Sequence, residues 1–215
     1  VLPLPAPLFA PFINAVEKIS HPGQGLTNRA RHTLVMLMNT SDENLALAAA
    51  GGDAAAFSTL VERQYDRLFR LCFRLTGAKA EAEDLTQDIC AALPAKLRNY
   101  KGDAALTTWL YRVVVNAAHD RRRRRATHAQ AASKWGEWEV NRRSADTETA
   151  ARVDWLTSAM SALPDDLRDT LALVLDDVTH RDAAVILGIS EGTVSWRISE
   201  AKKHLRALRE TEDQS

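Results

Sequence analysis

Several features that define common classes of protein are scarce in this 215-residue sequence. It has two cysteines, Cys72 and Cys90, with no CxxC spacing and no clustered histidine, so we expect reduced core residues of a cytoplasmic protein and no metal site. No apolar run approaches the about 20 residues of a membrane-spanning helix, which argues against membrane insertion. Polar and apolar residues do not alternate between hairpin turns as they do in strands, so the sequence predicts an all-α protein.

The residue patterns on which catalysis most often depends are also missing. The sequence has no constellation of paired carboxylates, no nucleophile elbow, no phosphate-cradling glycine loop and no metal-ligand spacing. We therefore expect no catalytic residue, no cofactor and no enzymatic activity.

The first 38 residues carry no sustained hydrophobic period, and prolines interrupt their apolar start. They lack the basic segment and the cleavage site of a signal peptide. Our hypothesis is that residues 1–38 are an irregular extension and that the working protein begins near Met36 or Met38.

Equal numbers of basic and acidic side chains, 28 of each, hide a strong segregation of charge. The stretch from Lys101 to Arg125 holds seven basic and two acidic residues, whereas Lys79 to Asp88 holds one Lys and four acids. A basic block suits phosphate groups and an acidic block suits a basic protein surface. We therefore expect two different partners.

The stretch from Thr179 to Leu208 predicts two helices joined by the turn Gly188-Ile189-Ser190, with Thr179 and Ser190 as N-caps. One face of the second helix is an apolar stripe formed by Val194, Ile198, Ala201, Leu205 and Leu208. The opposite face is polar and basic. This layout is typical of a helix-turn-helix that reads DNA, and an ordinary helical hairpin with a solvated face is the alternative.

Two further helices carry the segregated charge. Asp84, Gln87 and Asp88 share one face of a helix that Pro94 is expected to kink or end. A helix from Leu106 to about Arg124 leads into five consecutive arginines. Aromatic side chains near these arginines favour a phosphate-binding and base-stacking helix over a merely solvated helix end.

The order of these features resembles the extracytoplasmic-function group of bacterial RNA polymerase sigma factors. The matching strings are AEDLTQDI (82–89), YKGDAALTTWLYRVVVN (100–116), LPDDLRDTLALVL (163–175) and AAVILGISEGTV (183–194). The resemblance implies two small helical domains joined by a flexible linker. The expected divisions are a sigma region 2 domain at 39–125, a linker at 126–149, a sigma region 4 domain at 150–210 and a tail at 211–215.

By this resemblance the protein is a transcription initiation factor that binds core RNA polymerase, recognises promoter DNA and is controlled by an anti-sigma factor. Its region 2 domain would dock on the β′ coiled coil through Asp84, Gln87 and Asp88, and its region 4 domain would contact the β flap. The residues implied at the −10 element are Tyr100, Lys101, Gly102, Asp103, Trp109, Tyr111, Arg112, Asn116, Asp120, Arg121, Arg122 and Arg123. Those implied at the −35 element are Ser190, Gly192, Thr193, Ser195, Trp196, Arg197, Ser199, Glu200 and Lys203.

The second helix of the helix-turn-helix departs from the family pattern. Family members commonly carry basic side chains at the positions of Ser195 and Glu200, and Ser at the position of Trp196. An altered preference at −35 is therefore expected. Two other functions stay open: a sigma-like decoy that binds an anti-sigma factor, and a stand-alone helix-turn-helix regulator that would bind palindromic sites as a dimer.

Overall fold

The computed structural model describes residues 40–132 and 158–212, with side chains over 40–127 and 158–211. This part of the chain contains helices and no strand, which confirms the all-α prediction. The first group of helices is α1 (Asp42–Ala50), α2 (Ala54–Thr76), α3 (Lys79–Leu97) and α4 (Leu106–Ala132). The second group is a helical stretch at 158–161, α5 (Asp165–Val174), α6 (His180–Leu187) and α7 (Glu191–Glu212). The N-terminal extension, most of the expected linker and most of the tail lie outside the described residues.

Helix α2 is the central element of the first domain and packs against α1, α3 and α4. It begins where the Asp53 carboxylate accepts hydrogen bonds from the backbone N–H groups of Ala55 and Ala56, at 2.9 and 3.0 Å. It ends at Gly77, whose φ of 72° is readily adopted only by glycine. The face between these two caps is leucine-rich and fully buried, and it forms the core of the domain.

Helix α3 does not end at Pro94, contrary to one of the two outcomes that we expected, and continues to Leu97. Proline removes one backbone hydrogen bond, yet Leu93 and Leu97 on either side of it are both 0% exposed. Pro94 itself faces solvent. Burial of the two leucines therefore holds the last turn in place, and it also fixes the acidic face of α3 on the outside.

Helix α4 continues past the expected end near Arg124 and reaches Ala132. Four of the eight added residues are alanine and one is Gln130, and both types favour helix. The Thr127 hydroxyl donates to the Arg123 carbonyl at 3.0 Å, so this hydroxyl has its hydrogen-bond partner within the helix. The arginines therefore lie within a continuous helix and not at its end.

The helix-turn-helix forms as the sequence predicts. The Thr179 hydroxyl accepts from the Asp182 N–H at 3.1 Å, and Ser190 accepts from the Thr193 N–H at 3.0 Å, so both predicted caps are confirmed. Gly188 adopts a φ of 68° in the turn between the helices. Val194, Ile198 and Ala201 are buried, which places the first part of the apolar stripe of α7 in the core and its polar face outside, and Leu205 and Leu208 are half-buried.

The two domains are in contact with each other. Helix α4 packs against α6, and α2 packs against α5. The buried apolar side chains of both domains belong to one cluster. Residues at this contact are therefore shielded from other partners in the arrangement that the structure shows.

Candidate protein and nucleic-acid interfaces

The acidic face of α3 projects from the first domain. The Asp84 and Asp88 side chains are 67% and 77% exposed, and Gln87 between them is half-buried. Their neighbours on the opposite side of the helix, Leu85 and Ile89, are buried. The structure therefore brings the three predicted polymerase-binding residues together on one outward surface, which we call the acidic face.

Arginines of α4 reach across to this acidic face. Arg121 donates to Asp84 at 3.2 Å and to Asp88 at 3.4 Å, so one guanidinium spans both carboxylates. One turn further along, Arg125 donates to Glu81 at 2.6 Å. Arg121 was expected at DNA, and in this structure it is engaged by the residues that were expected at polymerase.

The loop between α3 and α4 is braced at its start by two aromatic rings. Tyr100 is 5% exposed, its ring lies 5.3 Å from the Trp109 ring, and its hydroxyl donates to the Ala104 carbonyl at 3.0 Å. Burial, with smaller contributions from the nearby carboxylates of Glu43 and Asp103, raises the pKa of the Tyr100 phenol above its ordinary value. The phenol therefore stays a neutral donor that closes the loop.

Beyond Tyr100 the loop is open to solvent. Lys101, Gly102 and Asp103 are all exposed, and Gly102 adopts a φ of 79°. No atom lies within 4 Å of the position that a Cβ would take at Gly102, so glycine is required here by the backbone conformation and not by crowding. Asn116 is exposed on α4. These residues can reach a partner without any rearrangement of the domain.

Not every predicted −10 residue is accessible. Tyr111 is 1% exposed, and its hydroxyl donates to Asp176 of the second domain, which also accepts from Arg74 at 2.7 Å. Arg112 donates to the backbone carbonyl of Val185 in α6. The side of α4 that carries Tyr111 and Arg112 therefore faces the second domain.

Asp169 is the centre of a second set of contacts between the domains. It is 2% exposed and accepts two hydrogen bonds from Arg122, at 2.6 and 3.1 Å. His119 Nε2 lies 2.7 Å from the same carboxylate, and Arg122 also lies 3.2 Å from Asp165. Four residues that the sequence analysis did not single out, Arg74, His119, Asp169 and Asp176, therefore help to join the domains.

Along the rest of the arginine run the side chains face solvent. Arg123 is 80% exposed and pairs with Asp120 at 3.0 Å, one turn earlier on the same helix. Arg124 is also exposed. These two cations are available to an anionic partner in the arrangement shown.

The outward face of α7 divides into residues that maintain the fold and residues that are open. Arg197 lies 3.4 Å from Asp166 of α5, and Thr193 completes the Ser190 cap. Ser195 lies 3.1 Å from His180 of α6. Structural contacts therefore engage several of the predicted −35 residues.

The open part of this face carries one large side chain. Trp196 is 57% exposed, whereas the surrounding exposed positions are Gly192 and Ser199. Glu200 accepts from Lys203 at 2.6 Å, so these two charges neutralise each other. This outward face of α7, which is predicted to read the −35 element and which we call the reading face, is therefore polar and nearly neutral, with one indole.

The two cysteines have no role in these surfaces. Both are buried, unpaired in any disulfide, and burial raises the pKa of each thiol to about 12. Within residues 40–132 and 158–212, no group of three or more His, Cys, Asp or Glu side chains is arranged to hold a metal ion. No helix in the same ranges is long and apolar enough to cross a membrane.

Known proteins are similar to this chain in sequence and in fold. A family described as Sigma-70 region 2 matches residues 60–128, and one described as Sigma-70, region 4 matches residues 154–205. The ECF RNA polymerase sigma factor SigM of Mycobacterium tuberculosis is 36% identical over 170 residues, which cover 78% of this chain and 84% of that protein. The chain belongs to the ECF group of sigma factors. The region 2 match lies mostly in the first domain and the region 4 match in the second, so we call them the region 2 and region 4 domains.

More distant relatives agree with this assignment. The ECF sigma factor SigW of Bacillus subtilis is 29% identical, over 72% of this chain and 89% of that protein. A solved structure of CnrH in complex with the cytosolic domain of CnrY matches with a TM-score of 0.61 at 25% identity, and covers 79% of this chain and 97% of that chain. Sigma factors are transcription initiation factors, and the family is not one of enzymes.

Proposed function

We propose that this sigma factor is the specificity subunit that binds core RNA polymerase, recognises the −35 and −10 elements and promotes melting of promoter DNA. It acts by recruitment and by binding DNA, and it catalyses no reaction of its own. The observation that carries the proposal is the loop 101–103, which is exposed to solvent. The contact between Tyr100 and Trp109 holds the start of this loop, and helix α4 with its five arginines follows it.

The proposed polymerase contact is the acidic face of α3. Asp84 and Asp88 are exposed, and they lie on a helix that is fixed by Leu85 and Ile89 in the core. A basic partner surface gains charge-assisted hydrogen bonds from these carboxylates when it displaces Arg121. The region 4 domain is proposed to make the second contact, with the β flap.

The proposed −10 contact is the loop with the adjoining face of α4. An unpaired base costs a few kcal/mol to flip out of the stack, and a pocket must recover that energy by stacking and hydrogen bonding. Gly102 lets the backbone approach such a base closely, and Asn116 offers both a donor and an acceptor. Arg123 and Arg124 would hold the phosphates beside it.

The contact between the domains bears directly on this function. Tyr111, Arg112 and Arg122 are expected at DNA, yet carboxylates or a carbonyl of the region 4 domain accept their hydrogen bonds. Since these side chains cannot bond to both partners at once, we infer that the domains separate when the promoter is bound. In the closed arrangement, Asp169 and Asp176 therefore accept the hydrogen bonds that phosphates are proposed to accept in the open one.

An anti-sigma factor is proposed as the regulator. A solved structure holds the sigma factor RpoE in complex with the anti-sigma factor NepR from Bartonella quintana, and it covers 72% of this chain with a TM-score of 0.61. A protein of that kind that favoured the closed arrangement of the two domains would keep Tyr111 and Arg122 away from DNA.

The decisive experiment is run-off transcription with purified protein and core polymerase on a library of genomic promoters. Specific transcripts that core polymerase alone does not give are expected. A decoy is the second candidate, because on the reading face Arg197 and Lys203 are both engaged by carboxylates. Intact core binding with no specific transcript would establish the decoy, and a dimer on palindromic sites without polymerase would establish the stand-alone regulator.

A further inference from the structure

The position of Trp196 on α7 sets it apart from the other exposed large apolar side chains. Among the described residues these are Leu47, Leu175, Val185 and Trp196, and Trp196 has the largest exposed fraction, 57%. It lies in the second turn of α7, and the N-terminal turns of a recognition helix are the part that meets base edges in the major groove. An exposed apolar side chain is unremarkable by itself, but this one occupies the position that reads sequence.

Three of the polar side chains near Trp196 already have partners. Ser195 lies 3.1 Å from His180, Arg197 lies 3.4 Å from Asp166, and Lys203 donates to Glu200 at 2.6 Å. Direct recognition of guanine commonly uses an Arg or Lys side chain, and Arg197 and Lys203 on this face both have carboxylate partners. The indole is therefore the largest group that remains available for a base.

We propose that Trp196 determines specificity by packing its indole against the C5-methyl group of a thymine in the −35 element. This inference rests on the proposed function of the region 4 domain. In the major groove thymine is the base that presents a methyl group, and apolar side chains recognise it by contact. An indole offers a broad apolar face for that contact.

The surroundings of Trp196 favour DNA over a protein partner. A protein-binding patch is expected to continue over several adjoining apolar side chains. Here the neighbouring exposed positions on α7 are Gly192, Ser195 and Ser199, which are small or polar. Further along the same helix Lys202 and Arg206 are exposed and suit flanking phosphates. A single indole on a small polar face fits a groove better than it fits an apolar surface.

The test uses the complete holoenzyme. A preferred −35 sequence is first selected from a randomised library, and each thymine in it is then replaced by deoxyuridine, which lacks only the methyl group. With the wild-type protein one replacement should weaken binding about fourfold, the effect of one buried methyl group. With Trp196→Ala the same replacement should have no effect, and Trp196→Phe should restore part of it.

The outcomes separate this inference from the function on which it rests. Specific binding and transcription with no deoxyuridine effect at any position would overturn the role of Trp196 and leave the proposed function intact. The same follows if Trp196→Ala keeps the full deoxyuridine penalty, or if it changes only the binding of a protein partner. Absence of any specific promoter binding would overturn both.

Discussion

Helix α4 of the region 2 domain and helix α7 of the region 4 domain are both expected at promoter DNA, and they differ in how they carry charge. Helix α4 has five consecutive arginines. Arg121, Arg122, Arg123 and Arg125 all pair with carboxylates, while Arg124 faces solvent. The reading face of α7 is nearly neutral and presents Trp196.

This difference separates two tasks of a DNA-binding protein. Contacts to phosphates supply affinity that is independent of sequence and sensitive to salt, whereas contacts to base edges supply the choice of sequence. We propose that helix α4 serves the first task and the exposed part of α7 the second. Mutations in the two helices should therefore change different observables.

The largest expected effect concerns the acidic face that pairs with α4. Asp84→Arg combined with Asp88→Arg places cations where a basic polymerase surface is proposed to bind, and should lower the affinity for core polymerase at least about 100-fold. Titration of labelled protein with core polymerase measures this. Glu62→Arg, an exposed acid on α2, is the matched control and should bind normally. Normal affinity of the double variant, with its helix content intact, would remove the assignment of this face.

Asn116→Ala should reduce promoter opening about tenfold while the affinity of the closed complex stays unchanged. The reason is that the amide is proposed to contact only a base that has left the duplex. Permanganate reactivity of unpaired thymines measures opening, and filter binding at low temperature measures the closed complex. Asn44→Ala, an exposed asparagine on α1, controls for the substitution. An equal loss in both measurements would argue against a role at the melted base.

Arg123→Ala combined with Arg124→Ala tests the affinity side of the comparison. Two lost phosphate contacts should reduce the slope of log affinity against log salt by about 1.4 to 1.8, and the preferred −35 sequence should not change. Trp196→Ala should do the reverse, changing preference with an unchanged slope. A change of sequence preference in the arginine variant would break the division of labour between the two helices.

The smallest expected effect concerns the contact between the domains. Asp169→Asn keeps the volume of the side chain but removes its charge and weakens its hydrogen bonds from Arg122, and should shift the ratio of open to closed protein at least about fivefold towards open. Energy transfer between dyes on cysteines introduced at Leu47 and Lys202 reports the separation. Both native thiols are buried with a pKa of about 12, so they stay protonated and unreactive during labelling near pH 7.5.

The matched control for this shift is Asp166→Asn. Asp166 lies on the same helix and pairs with Arg197 inside the region 4 domain, so its loss should leave the distance between the domains unchanged. Equal transfer efficiency in the Asp169 variant and the wild type would show that this carboxylate does not hold the domains together.

Local signals in the sequence predicted much of the fold and part of the site. Thr179 and Ser190 act as caps as expected, and α6 has the predicted bounds His180–Leu187. A cap depends on residues within one turn, and an apolar stripe depends on apolar residues that recur at the helical period. Both can therefore be predicted directly from the sequence. Exposure of Asp84 and Asp88 follows from the same periodicity.

Contacts between distant segments were beyond such reasoning. Arg122 and Asp169 are 47 positions apart, and nothing in a run of five arginines tells which of them meets a given carboxylate. Tyr111 and Trp109 are both implied at the −10 element, yet the Trp109 ring packs on Tyr100 whereas the Tyr111 hydroxyl donates to Asp176. The helix beyond Pro94 likewise depends on two leucines whose burial only the packed domain determines.

The position of Arg121 has a consequence for assembly. Its guanidinium rests on Asp84 and Asp88, the carboxylates proposed for polymerase, while the guanidinium itself is proposed for DNA. Polymerase that takes the carboxylates releases the arginine for DNA, and DNA that takes the arginine releases the carboxylates for polymerase. With the proposed contacts, each partner would raise the affinity for the other by the same factor, as thermodynamic reciprocity demands. The two ion pairs of Arg121 with Asp84 and Asp88 would then give the assembly of polymerase, sigma factor and promoter positive cooperativity.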